Sequence, residues 1–151
     1  MRTVLLVEDG TEYLEAFERL APATEEEGAR FVRAGNLSEA RALLARGAPD
    51  AVFLDVVFDR VREDALAGDL ASLIARYGGD RRRAVRHLAE NQGFYLLDAL
   101  AASLPPGIPV VLAYDLDAEP QRLAALRTRV PGLVGLPDGA SLSEALALLG
   151  C

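Results

Sequence analysis

The stretch Val4-Leu5-Leu6-Val7-Glu8-Asp9 joins four apolar residues to two acids, and Ala51-Val52-Phe53-Leu54-Asp55 repeats this arrangement further along the chain. Short apolar runs bounded by polar residues are typical of strands that are buried on both faces of a parallel sheet. Because both runs end in carboxylates, the two segments predict central strands and an acidic edge of the sheet.

Three further apolar runs bring the number of predicted strands to five. Amphipathic stretches with apolar residues three or four apart alternate with these strands, which predicts five β–α units around a parallel sheet. The predicted strands span residues 4–7, 31–34, 51–54, 108–113 and 133–136. The predicted helices span residues 11–21, 37–46, 94–103, 119–129 and 142–149. Asn36 and Ser141 each precede a Glu by three residues, which is capping-box spacing, and Pro120 suits a first helical turn.

One segment, residues 59–92, does not follow the alternation and predicts an inserted helical hairpin. Apolar residues lie on one helical face before the Gly78-Gly79 break and continue with Val85 and Leu88 after it. Seven Arg against six acids give this segment a charge of +1, so the rest of the chain carries −8. Its most basic run is formed by Arg81, Arg82, Arg83 and Arg86.

Length and composition predict one domain over residues 1–151. Hydrophobic residues make up 51% of the chain, which excludes a disordered protein, and no apolar run reaches the roughly 18 residues of a membrane span. All sixteen basic residues are Arg, with one His (His87) and one Cys (Cys151), so Lys chemistry, zinc knuckles and internal disulfides are excluded. These counts favour the cytoplasm, and the net charge of −7 argues against nucleic acid or a membrane as partner.

Carboxylates follow three of the predicted strands: Glu8 with Asp9, Asp55, and Asp115 with Asp117. Ligands of parallel α/β sheets bind at the carboxyl ends of the strands. Two like charges about 4 Å apart repel by roughly 4 kcal/mol at an effective dielectric near 20, so such a cluster favours a bound divalent cation or a shared proton. Mg²⁺ suits these oxygen ligands, while Asp115 and Asp117 also suit capping of the helix near residue 119.

Several segments resemble, in order and spacing, the receiver domain of two-component response regulators. They are Val4–Asp9, Phe31–Ala34, Pro49–Asp55, Gly93–Leu97, Pro109–Leu112 and Leu136-Pro137. The resemblance covers essentially the whole chain except the segment 59–92. It implies a flavodoxin-like, doubly wound sheet of five parallel strands in the order 2-1-3-4-5.

The same resemblance implies roles for individual residues. Asp55 matches the phospho-acceptor, Glu8 and Asp9 match the acidic pair that binds Mg²⁺, and the carbonyl of Val57 matches the remaining protein ligand. It also implies a protein partner, either a histidine kinase or a downstream signalling protein, and allows a homodimer through the last two helices and the fifth strand. The protein is then a signalling module and not an enzyme.

Three positions depart from the receiver pattern. Ala113-Tyr114 stands where the family has the Ser or Thr that holds the phosphoryl group, Leu136 replaces the Lys, and Leu133 replaces the aromatic switch residue. Losing a charged donor removes about 1.5–3 kcal/mol from the state that it stabilised. The departures therefore predict an atypical receiver, or pseudo-receiver, in which phosphorylation of Asp55 is weak or absent.

Two alternatives remain open from the sequence. Val4–Glu8 followed by Val110–Asp117 is also similar to the Toprim pattern, in which Glu8, Asp115 and Asp117 would bind Mg²⁺ for nuclease or phosphotransfer chemistry. The other alternative is an interaction module that binds no metal. The orientation of Tyr114, either towards the phosphoryl position or towards solvent, is left open as well.

Overall fold

The computed structural model describes residues 1–21 and 28–151, in which five parallel strands form one sheet. The strands are β1 (Arg2–Val7), β2 (Ala29–Ala34), β3 (Ala51–Leu54), β4 (Val110–Leu112) and β5 (Leu133–Gly135). Their order is β2-β1-β3-β4-β5. This order confirms the predicted flavodoxin-like α/β class, with β1 and β3 inside the sheet.

Helices connect and cover the strands. They are α1 (Glu12–Leu20), α2 (Leu37–Arg46), α3 (Leu70–Arg76), α4 (Arg81–Glu90), α5 (Gln92–Leu100), α6 (Pro120–Arg129) and α7 (Leu142–Leu148). Single 3-10 turns span Glu63–Ala65 and Ala101–Ser103. Within the described ranges, no helix has the length and apolar character that crossing a membrane requires.

Side chains along the central strands point alternately to the two faces of the sheet, and each face has its own apolar core. On β1 and β3, Leu5 and Leu54 point into one apolar cluster, which α2 and α5 cover, whereas Leu6 and Phe53 point into the other, which α1 and α7 cover. Successive strand residues face opposite sides, so an all-apolar strand can serve two layers at once. This double burial explains why these strands read as continuous apolar runs.

Strand and helix ends differ from the predicted ones for local reasons. β1 begins two residues early because Arg2 and Thr3 pair with β2, and the Thr3 N–H is also bonded to the Asp50 carboxylate at 2.7 Å. β4 is shorter than predicted: Pro109 has no N–H to donate, and a turn in which the Tyr114 N–H donates to the Leu112 carbonyl ends the strand. The predicted N-caps Asn36 and Ser141 both accept from the backbone three residues later, and Ser141 forms the full capping box with Glu144.

The segment 59–92 forms the predicted helical hairpin from α3 and α4. Gly78 and Gly79 join the two helices with φ of +64° and +90°, a region that favours glycine. Leu73, Ala84 and Leu88 form the small core of the hairpin.

The hairpin is tied to the rest of the chain by a buried amide. The Gln92 side chain accepts from the Ala67 N–H at 2.6 Å and donates to the carbonyls of Ala67 and Leu88 at 3.0 and 3.1 Å. A backbone bond from the Phe58 N–H to the Ala89 carbonyl, at 2.8 Å, closes the base of the hairpin. The following helix, α5, begins at Gln92 and not at the predicted Phe94. The side chain of Gln92 bonds to the hairpin while its backbone forms the first residue of α5.

Gly93 sets the approach of α5 to the loop after β3. Its N–H donates to the Val56 carbonyl at 3.0 Å, and a Cβ at this position would lie 2.4 Å from the Asp55 carbonyl oxygen. Only a residue without a side chain permits this contact between a helix and the backbone of a strand end.

We expect Gly93→Ala to lower the free energy of unfolding by about 1–3 kcal/mol, because the added methyl group overpacks against backbone that cannot move freely. Gly47→Ala is the matched control, since Gly47 has extended backbone and nothing within 4 Å of the added carbon. Urea denaturation measures both variants. Equal stability of Gly93→Ala and Gly47→Ala would show that the helix does not depend on this close approach.

Candidate functional site

The ladder between β1 and β3 brings Glu8, Asp9 and Asp55 to the same edge of the sheet. Val7 pairs with Leu54, and the Asp55 N–H donates to the Val7 carbonyl at 2.9 Å. The acids that follow these paired residues therefore leave the sheet side by side at its carboxyl edge. We refer to Glu8, Asp9 and Asp55 as the acidic rim.

Glu8 is almost fully buried, with 1% of its surface exposed. One carboxylate oxygen, Oε2, accepts from the Tyr13 N–H at 3.1 Å, whereas Oε1 is buried without a hydrogen-bond partner among the described residues. Burial raises the pKa of Glu8 to about 7, and the charge of Asp55 adds to this rise. The positive charge of Arg33 and the N–H groups of Tyr13 and Leu14 act against it.

Asp55 is half-buried, and its Oδ1 accepts from the Val56 N–H at 2.8 Å. Burial raises the pKa of Asp55 to about 6. The neighbouring carboxylates of Asp9, Glu12 and Asp59 contribute to this rise. The charges that act most strongly on Asp55 are thus all negative, which describes a site short of positive charge.

Two arginines, which the sequence did not single out for this site, hold the chain around Asp9. The Arg33 guanidinium on β2 donates to the backbone carbonyls of Asp9, at 3.0 Å, and of Gly10. The Arg60 N–H donates to Asp9 Oδ2 at 2.7 Å, and its guanidinium pairs with Glu12 at 2.6 Å. Neither contact could be predicted from spacing, because each joins segments that only the folded sheet brings together.

The Arg60 side chain lies over Gly10, where a Cβ would be 2.2 Å from Arg60 Nη1. Its hydrogen bond to Glu12 lowers the pKa of that carboxyl to about 2. The pair is largely exposed to solvent, so it places a positive charge beside the acidic rim and contributes little to stability.

The donor set of the acidic rim fits Mg²⁺. Within residues 1–21 and 28–151, no group of three or more His, Cys, Asp or Glu residues is arranged to hold a metal ion. Mg²⁺ usually takes only one or two carboxylates and completes its octahedron with waters, so a pair such as Asp9 and Asp55 would be enough charged ligands for one ion. The unpartnered buried oxygen of Glu8 also suits a nearby cation.

Val57 lies in the loop two residues after Asp55, and its side chain is 53% exposed. The Val57 carbonyl lies in the same loop as Asp55. The ligand role of that carbonyl stays a prediction.

Tyr114 points its hydroxyl towards α6, donating to Glu119 Oε2 at 2.6 Å. Its ring packs edge-on against Phe94, with centroids 5.1 Å apart, and the Arg122 guanidinium lies 3.7 Å from the centre of the Phe94 ring. These contacts hold Tyr114 in an aromatic and ionic cluster at the start of α6. Its hydroxyl is thus already committed to Glu119.

Asp115 ties two loops together and does not cap α6, which corrects the predicted capping role. Its two oxygens accept from the N–H groups of Asp117 and Asp138, at 2.8 and 2.9 Å, and these bonds lower the pKa of Asp115. α6 instead begins at Pro120, with Glu119 as an N-cap whose side chain makes no capping bond.

The strands that precede the Toprim residues Glu8, Asp115 and Asp117 are not neighbours in the sheet. β3 lies between β1, which ends before Glu8, and β4, which ends before Asp115. Strands are about 4.8 Å apart, so these two ends are separated by roughly 10 Å.

Ala113 and Leu136 are half-buried and pack against the apolar cluster that contains Phe53. Apolar contacts thus take the two positions at which the sequence resemblance predicts a Ser or Thr and a Lys. Neither side chain offers a hydrogen-bond donor to a group on Asp55.

Solved structures of receiver domains resemble this chain over nearly its whole length. The receiver domain of a Francisella response regulator is 15% identical, with a TM-score of 0.58 over 99% of this chain and 94% of that chain. A CheY-like receiver domain protein from Methanospirillum hungatei is 13% identical, with a TM-score of 0.58 over 99% and 91%. The beryllofluoride-activated NtrC receiver domain is 20% identical, with a TM-score of 0.57 over 99% and 91%.

No protein-family model matches the sequence, and no curated protein matches it. The structural matches show that the chain has the fold of CheY-like receiver domains of response regulators.

We expect the stability of the metal-free protein to fall as pH rises from about 4.5 to 7, because over this range the folded protein holds a proton on Glu8 that the unfolded chain has lost. The slope for one such group reaches about 1.4 kcal/mol per pH unit. Glu8→Gln removes this contribution to the pH dependence of stability. The smaller contribution of Asp55, between about pH 3.8 and 6, remains.

Urea denaturation in EDTA between pH 4.5 and 8 measures this slope, with the exposed Asp64→Asn as control. A slope in Glu8→Gln as steep as in the wild-type protein would contradict the assignment of this proton to Glu8.

Proposed function

We propose that this chain is an atypical receiver that acts in two-component phosphorelay signal transduction by binding a protein partner. Asp55 is its phospho-acceptor, and phosphorylation of Asp55 is weak or absent. The observation that carries the proposal is the pairing of Val7 with Leu54, which puts Asp55 beside Glu8 and Asp9 at one edge of a sheet with the receiver strand order.

Asp55 has the features of a phosphoryl acceptor. Its Oδ1 is held by the Val56 N–H, which orients the carboxylate. With a pKa of about 6, Asp55 is largely ionised at neutral pH and can attack the phosphorus of a donor such as acetyl phosphate. One Oδ–P bond forms, the bond from phosphorus to the leaving oxygen breaks, and the acetate leaves with the electron pair.

Asp9, Asp55 and the carbonyl of Val57 would hold Mg²⁺, with Glu8 behind them. When bound there, Mg²⁺ neutralises charge on the transferring phosphoryl group. The four residues would contribute oxygen ligands; burial, with a smaller effect of neighbouring carboxylates, raises the pKa values of Glu8 and Asp55.

The residues around Asp55 support a weak reaction. Ala113 and Leu136 provide packing surface and no donor, and the sequence contains no Lys that could take their place. The loss of about 1.5–3 kcal/mol per missing donor to the charged phosphoryl group corresponds to roughly 10- to 150-fold in the stability of the acyl phosphate.

The proposal extends to partners and location. A histidine kinase or a downstream signalling protein is the partner, Mg²⁺ is the cofactor, and the chain is a single receiver-like domain that acts by binding and not as an enzyme. The lone Cys151 and the acidic net charge support a cytoplasmic protein that does not bind nucleic acid. A homodimer stays a prediction.

We expect acetyl phosphate and Mg²⁺ to give only a trace of phosphorylated protein, which Asp55→Asn abolishes. Ala113→Thr combined with Leu136→Lys restores the two donors and should raise the yield about tenfold or more. Phos-tag electrophoresis measures the yield, and circular dichroism checks that each variant is folded. Full modification of the wild-type protein would refute weak phosphorylation, whereas no modification of the folded double variant would refute Asp55 as acceptor.

Calorimetric titration with Mg²⁺ and beryllofluoride tests the acidic rim without a phosphoryl donor. We expect heat of binding at pH 7.5 that Asp9→Asn and Asp55→Asn each abolish, because both carboxylates are ligands of the ion. Asp64→Asn, an exposed acid of the hairpin, should retain it. Absence of heat in the wild-type protein would favour the interaction module that binds no metal.

A further inference from the structure

Three arginines on the outer face of α4 form a positive surface on an otherwise acidic protein. Arg82, Arg83 and Arg86, here called the arginine patch, are all exposed. In the part of the chain that the structure describes, none of them has a carboxylate within ion-pair distance, whereas the adjacent Arg81 pairs with Glu63.

The arrangement of the arginine patch is electrostatically unfavourable for the helix itself. Arg82 and Arg83 lie in the first turn of α4, where the partial positive charge of the helix dipole favours acids and the helix has none. Arg86 is four residues from Arg82 and three from Arg83, so like charges are neighbours on the helix surface. Three carboxylates are near the patch: the N-cap Asp80 accepts from the Arg83 N–H, Glu63 lines a depression together with Arg82 and Arg86, and Glu90 follows Arg86 by four residues, yet none forms an ion pair with the patch among the described residues.

Contacts beneath the patch hold one of its members in place. The Arg83 guanidinium lies 4.6 Å from the centre of the Tyr77 ring, and the Tyr77 hydroxyl is 3.1 Å from His87 Nδ1. A cation held over an aromatic ring loses less side-chain freedom when it binds a ligand. Together with Asp80, the patch lines an open depression on the surface of the hairpin.

The distribution of charge selects the kind of partner. The segment 59–92 carries +1 and the remainder of the chain −8, so an anionic partner is attracted to the hairpin and repelled elsewhere. From Arg82 to Arg86 the patch extends about 6 Å along the helix axis. A long polyanion such as duplex DNA would run past it onto acidic surface, whereas a short run of carboxylates would not.

We propose that the arginine patch is a docking surface for an acidic segment of a partner protein. Glu and Asp side chains of that segment are held by the guanidinium groups, whose planar donors match a carboxylate in pairs. Docking at α4 needs no reaction at Asp55, so this inference goes beyond the proposed function and stands apart from it.

Fluorescence anisotropy with a fluorescein-labelled peptide of three consecutive glutamates flanked by Gly and Ser tests the proposal. The wild-type protein should bind the peptide at 50 mM NaCl and lose most of this binding at 300 mM, since exposed charges are screened. Arg82→Gln, Arg83→Gln and Arg86→Gln together should weaken binding tenfold or more. The same three positions changed to Lys keep the charge and should recover only part of the affinity.

The matched control changes three exposed arginines elsewhere, Arg19→Gln, Arg41→Gln and Arg46→Gln, and so has the same net charge as the patch variant. It should bind like the wild-type protein. Thermal unfolding checks that both variants are folded.

Three outcomes overturn the proposal: no binding of the peptide to the wild-type protein, equal weakening in the patch and control variants, or tighter binding of a 20-base-pair DNA duplex than of the peptide. The last would assign the surface to nucleic acid.

Discussion

Pairing of Val7 with Leu54 forces two acidic chain segments to leave the sheet next to each other, and the site follows from this constraint. Parallel strands with both faces buried cannot shift by one residue without moving their apolar side chains to the wrong layer. The positions of Glu8, Asp9 and Asp55 are therefore determined by the packing of residues that take no part in the chemistry. The same packing buries the Glu8 carboxyl at this edge, and burial raises its pKa to about 7.

The sequence was sufficient to predict what depends on local pattern. The strand Ala51–Leu54 and the helix Leu37–Arg46 match their predicted bounds, because an apolar run and a capped amphipathic stretch each contain their own signals. The meeting of the acids at one edge also followed, since it needs only the strand order and the last apolar residue of each strand. Contacts between distant segments were beyond reach: Arg33 with Gly10, Arg60 with Asp9, and the buried amide of Gln92 all depend on tertiary placement.

The residues that follow β4 make contacts that differ from their predicted roles. Tyr114 donates its hydroxyl to Glu119 and packs on Phe94, and Asp115 binds the backbone of Asp138. These contacts join the loop after β4 to its neighbours. The candidate site is formed instead by the acids that follow β1 and β3. The predicted capping by Asp115 was wrong because one of its oxygens accepts from the Asp117 N–H in its own loop and the other from the Asp138 N–H in a loop that is distant in sequence.

Both stems of the hairpin are anchored next to the same loop. The Phe58 N–H is bonded to the Ala89 carbonyl, and the Gly93 N–H to the Val56 carbonyl, so the chain that leaves β3 comes back beside the loop after β3 as it enters α5. These bonds hold the two ends of the segment together, and the entropy of closing such a loop grows only by about 0.6 kcal/mol for each doubling of its length. Loop closure therefore places little constraint on the length of the segment between the stems, whereas Ala67, which is buried in the main core and bonded to Gln92, determines where that segment packs.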